Sequence, residues 1–102
     1  MIYVVATTEC KPGRAPEFLA CLKRYAETVR REPGCLLFQP CVDHDSGLPP
    51  QGGVRPDAVM LVEQWESMDD LRAHLGTDAM KAYQAETKDL WVAKNLQVLE
   101  PA

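Results

Sequence analysis

Residues Ile2 to Thr8 read Ile-Tyr-Val-Val-Ala-Thr-Thr, a β-branched and aromatic run closed by the turn signal Lys11-Pro12-Gly13, and predict a first strand. The period then changes. Pro16 and Glu17 suit the first turn of a helix, Phe18, Leu19, Leu22, Tyr25, Ala26 and Val29 recur at three and four residues, and Lys23, Arg24, Glu27, Arg30 and Arg31 fill the other face. Glu32-Pro33-Gly34 stops this helix. Cys35 to Val42 predicts a second strand, in which Pro40 lacks a ladder donor and demands an edge position or a bulge. A long Gly- and Pro-rich loop, Asp43 to Arg55, leads to a third strand at Ala58 to Glu66 whose first five residues are apolar on both faces. Ser67 and Asp70 resemble a capping box, which starts a helix from Met68 to Leu75 that stops at Gly76. Thr77 caps another through Asp78, Met80 and Tyr83 to about Leu90, and Val92 to Leu99 closes the pattern as a fourth strand.

The order β, α, β, β, α, α, β is the split βαβ pattern: an α+β, ferredoxin-like fold with a four-stranded antiparallel sheet and helices on one face. With 102 residues, the chain forms a single domain, residues 1–102. Its composition is 46% hydrophobic, generous for so small a domain. The sheet face left bare by the helices needs a cover, and the same face of a second copy is the simplest by symmetry, so a homodimer is expected.

Charge narrows the function. A net charge of -4 and no basic run longer than Arg30-Arg31 lack the footprint of a nucleic-acid binder. No apolar stretch approaches the roughly 20 residues that cross a bilayer, and Met1-Ile2-Tyr3-Val4-Val5 lacks a charged leader region, so a cytoplasmic protein without membrane contact is expected. Cys10, Cys21, Cys35 and Cys41 have no CxxC pair or zinc spacing and read as structural thiols. Asp43-His44-Asp45 reads as a solvated turn, so no metal site is expected.

Lys11-Pro12-Gly13, Glu32-Pro33-Gly34-Cys35, Glu63-Gln64-Trp65-Glu66-Ser67, His74-Leu75 and Met80-Lys81-Ala82-Tyr83 together resemble the antibiotic biosynthesis monooxygenase (ABM) family, and within it the quinol monooxygenase branch. The resemblance covers nearly the whole chain. It implies a dimeric α+β barrel with one cleft per subunit between sheet and helices. It also implies oxidation of a small aromatic substrate, a quinol or polyphenol, by O2 with no cofactor. Such chemistry asks for an apolar aromatic slot, a proton acceptor and shelter from water.

Alternation places Val59, Leu61, Glu63 and Trp65 on one face of the third strand and Met60, Val62, Gln64 and Glu66 on the other. In the family this Trp lies on the cleft side, which assigns the odd-numbered set to the ligand. Trp65 is then an aromatic wall or a core tryptophan under the helices. Leu71 and His74, three apart on a helix, point along one apolar face, where a neutral His74 accepts the substrate's hydroxyl proton or is a hydrogen-bonded histidine near a helix C-terminus. Tyr83 is a candidate hydrogen-bond donor and Glu63 a candidate base or orienting group. Tyr3 and Thr8 lie in opposite phases of the first strand, so at most one lines the cleft, and Thr8 is the candidate.

Departures from related branches narrow the chemistry. The haem-degrading branch has Trp where this chain has His74, Asn near Thr8 and a haem-ligating His where Gln84 stands; the anthrone-oxidising branch has Asn at the position of Leu61. Two other functions remain: an isomerase of a small phosphorylated or sugar-like signal, which needs Arg14, Arg55, Arg72 or Lys81 in the cleft, and a non-catalytic dimeric module holding a hydrophobic ligand.

Overall fold

A computed structural model describes residues 1–102. The elements are β1 (Ile2–Cys10), α1 (Ala15–Val29), β2 (Cys35–Cys41), β3 (Ala58–Trp65), α2 (Met68–Leu75), α3 (Asp78–Thr87) and β4 (Trp91–Leu99), with a short 3-10 turn at Pro49–Gln51 inside the long loop. The strands form one antiparallel sheet in the order β2-β3-β1-β4. This is the ferredoxin-like arrangement expected from the element order.

Boundaries shift where local hydrogen bonds outweigh propensity. β1 runs on past Thr8 because Thr8 and Glu9 pair with both neighbours, and the Cys10 N–H donates to the Asp57 carbonyl at 2.8 Å. α3 ends at Thr87 and not near Leu90. There the Thr87 hydroxyl donates back to the Tyr83 carbonyl at 2.9 Å, and the Leu90 N–H closes a turn on the Thr87 carbonyl. β2 sits at a sheet edge, where Pro40 removes no ladder bond that a neighbour needs, and its register shifts between Cys35 and Leu37. The long loop is tied at its ends, with Arg55 donating to Asp43 through Nε at 2.8 Å and through its backbone N–H at 3.0 Å.

The core lies between the helices and one face of the sheet. α1 contributes Phe18, Leu22, Tyr25, Ala26 and Val29, and the sheet contributes Val4, Phe38, Val59 and Trp65. Ser67 caps α2 as expected, accepting from the Asp70 N–H at 3.1 Å. Next to this cap the chain turns at Gly34, whose φ is +78°; a Cβ there would overlap the Asp70 carboxylate. Glycine thus lets the α1–β2 turn press against the first turn of α2, and His74 lies four residues beyond Asp70 on the same helix face.

Coverage by the helices is uneven. β3, in the sheet interior, carries four buried residues, whereas no residue of β4 is buried. Leu96 and Val98 share the helix-side face with Ala6 and Val4, to which they pair, yet are 54% and 43% exposed. The opposite sheet face carries Tyr3, Val5, Leu37 and Leu99, all exposed, beside the partly covered Met60 and Val62. No helix is long and apolar enough to cross a membrane.

A candidate active site between the sheet and the helices

The gap between β4 and the helices is the mouth of a cavity of about 230 Å³. Its walls come from the helix-side face of all four strands and from all three helices, and they are mainly apolar. Phe18, Tyr25, Phe38 and Tyr83 supply aromatic surface. Tyr25 and Tyr83 stack with centroids 4.4 Å apart, and Phe18 meets Tyr83 edge-on at 6.3 Å. Flat hydrophobic walls of this kind match an aromatic ligand.

Polar groups gather at the inner end. His74, only 2% exposed, projects from α2 into the cavity lining, and its Nδ1 lies 2.9 Å from Glu32 Oε1. Glu32 follows the C-terminal end of α1, in the turn that Gly34 brings close. A carboxylate only accepts, so Nδ1 is the nitrogen that donates to Glu32, and in the neutral imidazole Nε2 is then the acceptor. Glu63, also in the lining and 4% exposed, accepts the Trp65 indole N–H at 2.9 Å. Burial pushes the Glu63 carboxyl above its usual range; the Trp65 hydrogen bond and the nearby imidazole oppose that rise, and Glu32 adds to it. Burial also raises the Tyr83 and Tyr25 hydroxyls, which therefore stay protonated donors near neutral pH.

Of the residues singled out from sequence, His74, Glu63, Tyr83, Leu61, Leu71 and Thr8 all line this one cavity. Tyr3 falls on the other sheet face, in the opposite phase to Thr8. Trp65 is placed differently from the expected aromatic wall. It is fully buried, does not line the cavity, and stands behind His74, whose ring is tilted over it at 4.8 Å. The wall is built from Phe18, Tyr25, Phe38 and Tyr83 instead. None of Arg14, Arg55, Arg72 or Lys81 reaches the cavity. Three of them pair on the surface, with Glu17, Asp43 and Asp69 respectively, so the cationic cleft required by the phosphorylated-signal isomerase is absent from those positions.

Two residues of this site escape sequence reading. Glu32 lies 42 positions from His74, and within a helix-stop motif nothing local marks it as an imidazole partner. Lys94 left a fainter signal, as a charge alternating with Leu96 and Val98 on one face of β4. No group of three or more His, Cys, Asp or Glu side chains converges as a metal-binding set.

The antibiotic biosynthesis monooxygenase family model matches residues 1–86. "Probable quinol monooxygenase YgiN" of Escherichia coli (strain K12) is 36% identical over 104 residues, covering 99% of this chain and 98% of that protein. Among solved structures, a protein of Caulobacter crescentus CB15 superposes with a TM-score of 0.82 at 30% identity, covering 99% of this chain and 89% of that one. A conserved protein of Methanosarcina mazei Go1 gives 0.84 at 20% identity over 99% of this chain and 92% of that chain, which speaks to the fold alone.

The buried Glu63 carboxyl generates a pH prediction. A carboxyl whose folded pKa exceeds its unfolded one binds more protons in the folded state, so stability declines as pH rises from the ordinary value of 4.5 through the raised one. Glu63→Gln keeps an acceptor for the Trp65 indole and removes this titration. In urea denaturation the wild type should lose stability relative to Glu63→Gln as pH is raised above the ordinary carboxyl value of 4.5. Parallel pH profiles for the two proteins would contradict the assignment.

Proposed function

The chain belongs to the antibiotic biosynthesis monooxygenase family, and from that premise we propose that it is a quinol monooxygenase, oxidising a small aromatic hydroquinone with O2 without a cofactor. The observation that carries this reading is the buried His74–Glu32 pair at the inner end of an aromatic cavity. Family membership and the 36%-identical relative support monooxygenase activity in general; the cavity chemistry supports the quinol.

A ring enters edge-first between the sheet and the aromatic side chains, with one hydroxyl at His74 Nε2. His74 takes that proton, and the resulting imidazolium is held at Nδ1 by the Glu32 carboxylate. The quinolate is electron-rich enough to pass one electron to O2, and recombination of semiquinone with superoxide forms a carbon–oxygen bond at a ring C–H position. Loss of water from this hydroperoxide breaks the O–O bond and leaves a carbonyl, which tautomerises to a hydroxyquinone. The sum balances: quinol plus O2 gives hydroxyquinone plus H2O, the quinol supplying all the electrons. Tyr83, kept protonated by burial, is the donor for a developing oxyanion. The apolar walls exclude water that would release superoxide or peroxide early.

On this reading the enzyme works as a homodimer in the cytoplasm. Its four unpaired cysteines suit a reducing compartment. The exposed apolar sheet face bearing Tyr3, Val5, Leu37 and Leu99 suits the same face of a second copy, closing a barrel between two sheets. Size-exclusion chromatography with light scattering should give about twice the 11.4 kDa chain mass; a species of one chain mass at micromolar concentration would refute the dimer.

Oxygen uptake with a reduced naphthoquinone tests the activity. Consumption should exceed autoxidation, yield the hydroxyquinone, and fall about 100-fold or more in kcat for His74→Ala. Glu32→Gln, which disturbs the tautomer of an intact imidazole, should lose about tenfold or more. A wild-type rate equal to autoxidation, with an unconverted ligand retained in native mass spectrometry, would favour the hydrophobic-ligand-binding module instead.

A further inference from the structure

The cavity has one cation, and no carboxylate answers it. Lys94 lies in the lining at the β4 side and takes part in none of the ion pairs formed by the other side chains. Its ammonium lies 4.6 Å from the centroid of Trp91, 5.6 Å from Phe18 and 5.7 Å from Tyr83. A defect in the sheet builds this arrangement. Between Glu9 and Cys10 the register jumps, so that Cys10 faces Trp91 while Glu9 faces Ala93. Val92 is the extra residue, and Trp91 swings to the same face as Lys94, giving the ammonium a ring to rest on. Three aromatic faces hold a cation in place without supplying a hydrogen-bond acceptor, so its N–H protons are left to solvent or to a ligand. Partial burial also depresses the Lys94 pKa, which is the condition under which an anionic partner contributes most.

The register separates this cation from the acid–base cluster. Val4 pairs with Glu63, and Thr8 pairs with Lys94. The two positions are four residues apart along β1, about 13 Å, and stand on opposite sides of that strand, about 10 Å apart laterally. Lys94 is therefore too far from His74 to share the reacting hydroxyl. It meets the far end of whatever lies between them, and it remains accessible to solvent at the mouth.

We propose that Lys94 is a specificity-determining residue that recognises a carboxylate on the substrate, so that the preferred ligand is an acidic hydroquinone held by its hydroxyl at His74 and by its carboxylate at Lys94. This rests on the quinol reading for the aromatic core and adds the acidic arm. A single ammonium with no arginine beside it matches a singly charged group. The apolar residues between the two ends, Leu61, Leu96 and Val98 among them, contact the ring and its linker without discriminating charge.

The test uses oxidised ligands, which do not turn over. Calorimetry on the full chain compares 3-(1,4-naphthoquinon-2-yl)propanoate with its methyl ester, identical in ring and arm but neutral. The acid should bind about tenfold tighter than the ester. In Lys94→Met this preference should collapse to about onefold, and Lys94→Arg should restore most of it. Lys88→Met, which removes a surface lysine outside the cavity, should leave it intact. An ester that binds wild type as tightly as the acid, an acid preference that survives Lys94→Met, or binding of neither ligand would overturn the proposal. Oxygen uptake is not read, so absence of turnover would count against the quinol monooxygenase activity and leave the Lys94 result standing.

Discussion

An imidazole with 2% of its surface exposed needs a partner for its ring N–H, and here that partner is Glu32, 2.9 Å away and just beyond the C-terminal end of a different helix. For the two to meet, α2 has to lie against the turn between α1 and β2. Gly34 makes room: any side chain at its φ of +78° would strain the backbone and overlap Asp70 as well. The Glu66 N–H bonded to the Gly34 carbonyl at 2.9 Å ties the end of β3 to the same turn. One close approach thus fixes the helix that carries His74, the carboxylate that orients it, and the strand end from which Glu63 and Trp65 project.

The second constraint is one of area. Three short helices cover β2, β3 and β1 and run out before β4, and the cavity is the space they leave. Its chemistry is graded in consequence. The end beneath α2 is desolvated and holds the titrating groups, while the end beside β4 is open and holds the lone cation. The two carboxylates at the inner end differ in role for a physical reason. Glu32 hydrogen-bonds the imidazole, whereas Glu63 bonds the Trp65 indole N–H and is pushed toward its protonated form by burial. Trp65 contributes by backing His74 and holding Glu63, without touching the ligand space.

Much of this was legible in the sequence, and the divide falls between local and long-range information. The period changes at Lys11-Pro12-Gly13 and Glu32-Pro33-Gly34, the Ser67 cap and the Gly76 stop are local, and α2 came out with the predicted ends, Met68 and Leu75. The candidate residues converge because strand alternation and helical spacing are also local rules: Leu61 and Glu63 share a strand face, and Leu71 and His74 share a helix face. Trp65 obeyed the same alternation, but alternation tells which side of the sheet a residue faces and not whether another ring stands in front of it. His74 does. The Glu32–His74 pair and the bulge that aligns Trp91 with Lys94 are products of packing between distant segments and of sheet register, and no short window of sequence contains either.

The central claim is that Glu32 sets the tautomer of His74, leaving Nε2 free to accept a proton from the ligand. Long-range proton–nitrogen correlation NMR on the 15N-labelled protein, in buffer basic enough to hold imidazole neutral, reads this directly. The account predicts a protonated Nδ1 and an unprotonated Nε2 at His74 in the wild type, with the two tautomers mixing in Glu32→Ala. A His74 protonated at Nε2 in the wild type, or one whose tautomer is unchanged when Glu32 is removed, would contradict it.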